Sequence, residues 1–383
     1  MQNIPYWRLS IFYFFYFSSL GVLLPYLPLY LQYLKFNAQT IGELIAIVSL
    51  TRIIAPNIWG WLADRTGKHM FLVRLGTMGA LIGFCGIFWS TNYVWIMLVL
   101  ATFSFFWNAA LPQMEAMTFV YLEKQQDRYA HIRSWGSIGF IVAVMGLGWL
   151  FEQHSVELLP TTVVVLFVFL VMSSFLVAEP QHKITHEAHQ PFGSVLKRPE
   201  VIALLSVCFL NQASHTAYYT FYAIHLKEYG YTLNITGQLI ALGVIAEIIL
   251  FLVMHRLFVH FSLRALLITS FIVTGFRWLI IGFFYQWFTV LVFAQLLHAI
   301  SFGLYHAVAI RFIHQYFVGN LRGRGQALYS SLSFGAGTAV GNLISGYTWE
   351  SLGAEFSYFV AFVECFVAAW ISWRWVGKSS ASS

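Results

Sequence analysis

What this chain has little of is charge. Only 9% of its 383 residues are Asp, Glu, Lys or Arg, against about 25% in a soluble domain. So few charges cannot cover a water-facing surface, and a soluble globular fold is excluded. Cysteine is scarce as well. Cys85, Cys208 and Cys365 are odd in number, sit inside apolar runs and show no ligand spacing, so they read as small buried hydrophobes, with no disulfide framework or metal site. The sequence contains no His-Glu-x-x-His, no Gly-x-Ser-x-Gly and no nucleotide-binding loop, which argues against a membrane-embedded enzyme and against ATP-driven transport. The longest polar stretch, Glu179 to Glu200, is too short for the output domain that a membrane solute sensor would need.

What is present is apolar. Hydrophobic residues make up 59% and aromatics 19%, with a mean hydropathy of +0.71. Runs of ~20 apolar residues recur, as membrane-spanning helices require, whereas barrel strands would alternate over about ten. The expectation is an all-α membrane protein with twelve transmembrane helices, at roughly 9–34, 40–62, 70–90, 94–121, 132–151, 160–178, 200–226, 235–258, 264–284, 287–317, 325–347 and 354–376. The first run is too long for the apolar core of a cleaved signal and reads as a first span. The polar stretch, rich in Pro and His, then separates a bundle over 1–178 from one over 200–383, with 179–199 as a cytoplasmic linker.

The net charge of +6 does not indicate nucleic acid, because the bases sit in connecting loops and not along one face. With the N-terminus inside, fifteen Lys and Arg fall on the inner side and only Lys35 and Lys227 outside. Basic residues favour the cytoplasmic side, so both termini are expected in the cytoplasm of a bacterial inner membrane. The remaining bases, Arg52, Arg133, Arg277 and Arg311, lie within or at the edges of spans, as do Glu43, Glu115, Glu247 and Glu364. A charge at mid-bilayer costs about 2.5–3.5 kcal/mol on insertion scales, so these groups should face a partner or a wet cavity.

Between the second and third runs stands Gly60-Trp-Leu-Ala-Asp64-Arg65-Thr-Gly67-Lys68, a charged turn bracketed by glycines that would permit close backbone approach. Arg256 to Arg264 holds the corresponding place after the eighth run, which supports two related halves.

These features resemble the major facilitator superfamily, whose loop signature the 60–68 segment matches and whose six-plus-six layout the spans follow. Within it the chain is similar to the branch containing lactose permease and, more closely, to the 3-phenylpropionate transporter group. The resemblance rests on Leu24-Pro-Tyr-Leu-Pro-Leu-Tyr-Leu31, on Glu115 with Arg133-Ser-Trp-Gly136-Ser-Ile-Gly139-Phe140, and on His215-Thr-Ala-Tyr218-Tyr219, Gly243-Val-Ile-Ala-Glu247, Phe276-Arg277-Trp278 and Gln295-Leu-Leu-His298. It implies a conformational latch at Gly60, Asp64, Arg65, Gly67 and Lys68. It also implies a substrate site drawn from Glu115, Arg133, Trp135, Phe140, His215, Tyr218, Tyr219, Arg277, Gln295 and His298. Glu247, His298 and Glu115 are the proton-coupling candidates.

Residue chemistry is consistent with those roles. A guanidinium offers a planar fork for a carboxylate or paired hydroxyls, and His with Glu can relay protons inside a membrane. Where lactose permease carries a carboxylate one turn beyond its histidine, this chain has Ser301, and its lysine and paired aspartate are matched by Gln295 and Gln212. Losing both members of an ion pair leaves neither charge alone. The missing carboxylate shifts proton transfer to Glu247 or Glu115. Glu43 and Glu364 are placed near helix ends without a role, and Arg311 as a residue reaching toward the interface.

The expectation is a secondary transporter working by alternating access on a solute held at mid-membrane. It would be a proton-coupled symporter, functional as a monomer in the lipid bilayer, with no cofactor beyond the coupling proton. An aromatic carboxylate such as 3-phenylpropionate is the favoured substrate, with a sugar or oligosaccharide and then a nucleoside as alternatives.

Overall fold

The computed structural model describes residues 4–122, 125, 128–179, 192–319 and 321–377. Most of the expected linker, with Lys124, Lys183 and Lys378, lies outside them. Every regular element among the described residues is helical. The helices are α1 Tyr6–Tyr33, α2 Ala38–Thr66, α3 His69–Cys85, α4 Tyr93–Leu122, α5 Tyr129–Gln153, α6 Leu159–Leu176, α7 Phe192–Leu196, α8 Pro199–Ser214, α9 Thr216–Glu228, α10 Leu233–His260, α11 Leu263–Phe283, α12 Phe288–Leu296, α13 Tyr305–Tyr316, α14 Leu321–Ser330, α15 Thr338–Leu352 and α16 Ala354–Trp375. Two π-helical segments interrupt the series. Ala299–Leu304 joins α12 to α13, and Ser331–Gly337 joins α14 to α15.

Ten of the resulting rods are long and apolar enough to cross a membrane by length and composition. Two further runs, 199–228 and 321–352, fall short of that measure, and each is interrupted within its length. At His215 the carbonyl of Asn211 accepts from both the backbone N–H and the Nδ1 of His215, at 3.2 and 2.7 Å. A side chain competing for its own helix's carbonyl weakens the ladder, and α8 gives way to α9 there. In the second run the π-helical turn adds a residue per turn, and Gly335 and Gly337 are buried in it.

The chain forms two compact units. The first comprises 1–36, 47–186 and 232–238, and the second 37–46, 187–231 and 239–383. In the first, α1 lies along α5 and α6, and α3 along α4 and α6. Its centre is aromatic: Tyr16 and Phe103 stack on either side of Trp107, with Phe84 and Phe167 closing edge-on. In the second, α16 packs on α11 and α8, over a core including Val207, Phe271, Tyr305, Val308 and Phe312.

Helix approach is set by small residues where no side chain fits between backbones. A Cβ on Gly139 would lie 2.2 Å from the Phe14 carbonyl oxygen, so α1 and α5 meet there backbone to backbone. In the second unit, Gly42 at the start of α2 meets Gly346 of α15, and a Cβ on Gly42 would lie 2.9 Å from the Gly346 Cα. The same first turn is capped by a carboxylate, because Ala38 N–H donates to Glu350 Oε2 at 2.9 Å. The first unit repeats the device. Asn234 N–H, at the start of α10, donates to Glu152 Oε2 of α5 at 2.9 Å, and a Cβ on Gly237 would lie 2.5 Å from the Val144 carbonyl oxygen. A carboxylate at a helix N-terminus is favoured by the unpaired N–H groups and the helix dipole. Glu152→Gln and Glu350→Gln are each expected to lower the thermal midpoint at low salt and to converge with the parent protein at high salt, where exposed charges are screened. An equal deficit at all salt concentrations would mean that the charge is not what stabilises the turn.

Three expectations need correction. The segment at Gly60 to Lys68 is not a turn throughout: α2 runs on to Thr66, and Gly67, at φ +64°, reverses the chain. Gly60 permits no close approach, since a Cβ there would meet nothing within 4 Å. Glu364 is not near a helix end but midway along α16, because that helix fills the whole of the last apolar run.

Candidate substrate site

In the first unit the two expected charges come together. Arg133 Nε lies 4.0 Å from Glu115 Oε1, with side-chain exposures of 31% and 34%. At that separation the pair attracts through charge without a hydrogen bond. The carboxylate is steadied by Tyr129, whose Oη donates to Glu115 Oε1 at 3.1 Å. Tyr129 stands four residues before Arg133, one turn down the same face of α5. The guanidinium lies over Phe17 of α1, its Cζ 3.7 Å from the ring centroid, an arrangement favoured by the ring's quadrupole. Gly136 makes room for this stack: a Cβ there would lie 2.6 Å from Phe17 Cδ2 and 2.8 Å from the nearer terminal nitrogen of Arg133. Tyr13 Oη is paired with Thr118 Oγ1 at 3.0 Å.

Around this pair α4 carries polar side chains. Pro112 lies inside it and cannot donate to the carbonyl of Asn108. The Asn108 side chain donates to Thr51 Oγ1 at 2.9 Å, and Gln113 Oε1 meets His69 Nδ1 at 2.8 Å. The two aromatic candidates of α5 lie elsewhere. Trp135 Nε1 donates to Tyr6 Oη at 3.1 Å and its ring meets Trp7, so it closes the start of α1. Phe140 is buried, and its backbone abuts Gly21.

In the second unit Arg277 is wholly enclosed, at 0% exposure. Its Nε donates to the Ala294 carbonyl at 2.8 Å, one terminal nitrogen to Ser301 Oγ at 3.1 Å and the other to Gln295 Oε1 at 3.3 Å. Its Cζ stands 4.3 Å from the Tyr218 ring and 4.8 Å from that of Trp278. Gln295 is shared further, accepting from Tyr218 Oη and donating to Tyr222 Oη, both at 2.8 Å. Residues 294, 295 and 301 bracket His298, so one guanidinium fastens the backbone and side chains on both sides of it. His298 Nε2 lies 3.7 Å from Glu247 Oε2. Gly243 and Gly303 admit the pair, since a Cβ on the first would touch His298 and on the second Glu247.

His215 packs edge-on to Trp278 and against Tyr219. With Nδ1 donating to the Asn211 carbonyl, its Nε2 is buried without a hydrogen-bond partner among the described residues. The same holds for His298 Nδ1 and Gln212 Oε1. A buried polar atom left unpaired costs about 1–3 kcal/mol, so this cluster of unmade bonds sets the region apart from ordinary core.

The 60–68 segment stands away from these groups. Asp64, Arg65 and Lys68 are exposed, and the Arg65 guanidinium lies over Trp61, 5.1 Å from its centroid. The N-terminus of α3 is capped from the end of α6, where Glu179 accepts from His69 N–H and Met70 N–H, both at 2.9 Å. Arg311 is exposed and lies over Phe258.

Among the described residues, ten apolar rods and two further long helical runs, with charged and hydrogen-bonded groups inside them, make up a multi-pass membrane protein. The sequence matches the MFS_1 like family over residues 6–360, and the chain belongs to that family, within the major facilitator superfamily. It is 29% identical over 365 residues to a protein of Escherichia coli (strain K12) named "Probable 3-phenylpropionic acid transporter", covering 93% of this chain and 94% of that one. It is 24% identical to the maltose permease of Geobacillus stearothermophilus, over 91% and 89% of the two chains. Among solved structures, a mutant of the nucleoside transporter NupG superposes with a TM-score of 0.87 at 17% identity, covering 97% of this chain and 99% of that one. At that identity the likeness concerns the fold.

Proposed function

We propose that this transporter takes up a small aromatic monocarboxylate together with protons, by alternating access in a bacterial inner membrane. The observation that carries the reading is the difference between the two arginines. Arg277 has its donors directed to three acceptors and lies against the rings of Tyr218 and Trp278, so it offers no fork to a solute. Arg133 is one-third exposed, and its acidic neighbour stands 4.0 Å off. A carboxylate approaching Arg133 can form the short paired bonds that Glu115 does not make.

Coupling is assigned to Glu247 and His298, which can share a proton across 3.7 Å once the imidazole turns toward the carboxylate. Arg277 acts as a positioning residue, holding Gln295 and Ser301 on either side of His298. The serine that replaces a family carboxylate thus serves as an acceptor for the guanidinium. Gly67, with the exposed charges around it, is assigned the latch between access states.

The test is uptake of radiolabelled 3-phenylpropionate into proteoliposomes under an imposed inward proton gradient. Accumulation above equilibrium is expected, collapsing when an uncoupler is added. Accumulation that survives the uncoupler would remove proton coupling, and absence of uptake with retained maltose uptake would replace the substrate class.

A further inference from the structure

One ionisable group inside a span serves neither the substrate site nor the coupling pair. Glu364 has ten residues of α16 before it and eleven after, in the helix Ala354–Trp375. At a rise of 1.5 Å per residue it stands about 15 Å from either end, half of a hydrocarbon core about 30 Å thick. A long basic side chain can reach toward the interface, but a glutamate is too short to do so from that depth.

Exposure along α16 places this carboxyl at the edge of an apolar stripe. Phe356, Phe359, Val363, Val367 and Trp370 are exposed, while Ala361, Cys365, Ala368 and Ala369 are buried. Glu364 is half-buried between the two sets. Phe362 and Phe366 occupy the opposite flank against α11, where a Cβ on Gly275 would lie 2.9 Å from Phe366. Ser357 lies two turns before Glu364 on the same flank and pairs with Thr348 of α15 at 2.7 Å.

No cation stands ready to balance a charge at this depth. Four helices of the second unit pack on α16: α8, α9, α11 and α15. Of these, α8 and α15 carry no base. On α11, Arg264 donates to the Trp373 carbonyl at the far end of α16, and Arg277 is committed to Ala294, Gln295 and Ser301. On α9, His225 lies against Tyr358, six residues from Glu364, and Lys227 is exposed near the helix end. The neighbours one turn away, Val360, Ala361, Val367 and Ala368, are all apolar. The Cys365 thiol is taken up by Ser214 Oγ at 3.2 Å. Among the described residues no hydrogen bond or ion pair reaches Glu364.

An unpaired ionised carboxylate is far costlier in an apolar medium than the neutral acid. Ionisable residues inside spans are rare, and they mark proton-carrying or ligand-binding positions. We propose that Glu364 is a proton-binding site at mid-membrane, held as the neutral acid beside lipid, and therefore a modification site for hydrophobic carbodiimides. It lies on a different helix from Glu247 and His298 and is independent of the substrate class. In the reaction the acid's proton passes to one nitrogen of the carbodiimide while a carboxyl oxygen bonds to its central carbon. The acyl group of this O-acylisourea then migrates from oxygen to the other nitrogen and leaves a stable N-acylurea. Every atom of both reactants is kept, and nothing is oxidised or reduced.

The experiment treats the full chain in proteoliposomes with dicyclohexylcarbodiimide, and separately with a water-soluble carbodiimide and glycine ethyl ester. Peptide mass spectrometry locates the adducts. Glu364 is expected to gain the full mass of dicyclohexylcarbodiimide and to stay unlabelled by the water-soluble reagent. Glu152 and Glu350, which are exposed, should be labelled by the latter and serve as controls. Glu364→Gln should lose the adduct and, having the shape of the neutral acid, keep the parent thermal midpoint. Absence of the adduct at Glu364 would overturn the proposal, as would labelling of Glu364 by the water-soluble reagent, which would place it in water. A lowered midpoint for Glu364→Gln would also overturn it, since that result would mean that the ionised form makes a stabilising contact.

Discussion

Arg133→Gln is expected to weaken binding of an arylcarboxylate about a hundredfold, with the protein still folded in the membrane. Truncating one partner of a buried, hydrogen-bonded charge pair costs about 2–5 kcal/mol, and every 1.4 kcal/mol is a factor of ten in affinity. A hundredfold therefore sits at the cautious end, as suits a guanidinium that is one-third exposed. Glutamine keeps a polar head near Glu115 and Phe17 but loses both the charge and the fork. Isothermal titration or a ligand-induced thermal shift with 3-phenylpropionate measures the loss. The neutral amide of the same acid should bind parent and variant alike. If Arg133→Gln retains parent affinity for the acid, its carboxylate is held elsewhere.

The largest effect on stability is expected at Gly139. A Cβ there would stand 2.2 Å from the Phe14 carbonyl oxygen and 2.9 Å from Ser18 Oγ, and Ser18 Oγ already donates to the Gly139 carbonyl at 3.1 Å. Backbone cannot step aside as a flexible side chain can, so Gly139→Ala must part α1 from α5. Overpacking of this kind costs about 1–3 kcal/mol and occasionally more. Gly146 provides the internal control, being on the same helix with nothing within 4 Å of its would-be Cβ. Gly146→Ala should be neutral or slightly stabilising, since alanine is the better helix former by about 1 kcal/mol. Thermal unfolding of the two variants side by side decides the matter: equal midpoints would mean that the close α1–α5 crossing does not limit stability.

Tyr129 shows where sequence reasoning stopped short. Its partnership with Glu115 follows from spacing alone once α5 is known to begin at Tyr129, but the apolar run suggested a start three residues later. Phe17 carried no comparable signal, because its place under Arg133 depends on how α1 crosses α5. Ser301 was legible as a missing carboxylate, while its use as an acceptor for Arg277 became visible only with the side chains placed. Nothing in the residues of Ala299–Leu304 announces a π-helical turn.

Hydrophobicity by itself determined that the chain is a bundle of spanning helices, because about 9% charge cannot cover a soluble surface and the apolar runs match the bilayer in length. It also determined which ionisable groups lie within spans, since their cost in lipid makes each one conspicuous. Only the tertiary structure decided what those groups do. Arg133 and Arg277 are the same residue type in similar apolar runs, and their difference lies in their neighbours. One rests on Phe17 beside Glu115 and Tyr129, and the other is closed in by Ala294, Gln295 and Ser301. Which hydrogen bonds a guanidinium has already made depends on helix packing, and that information is not carried by the residue or its spacing.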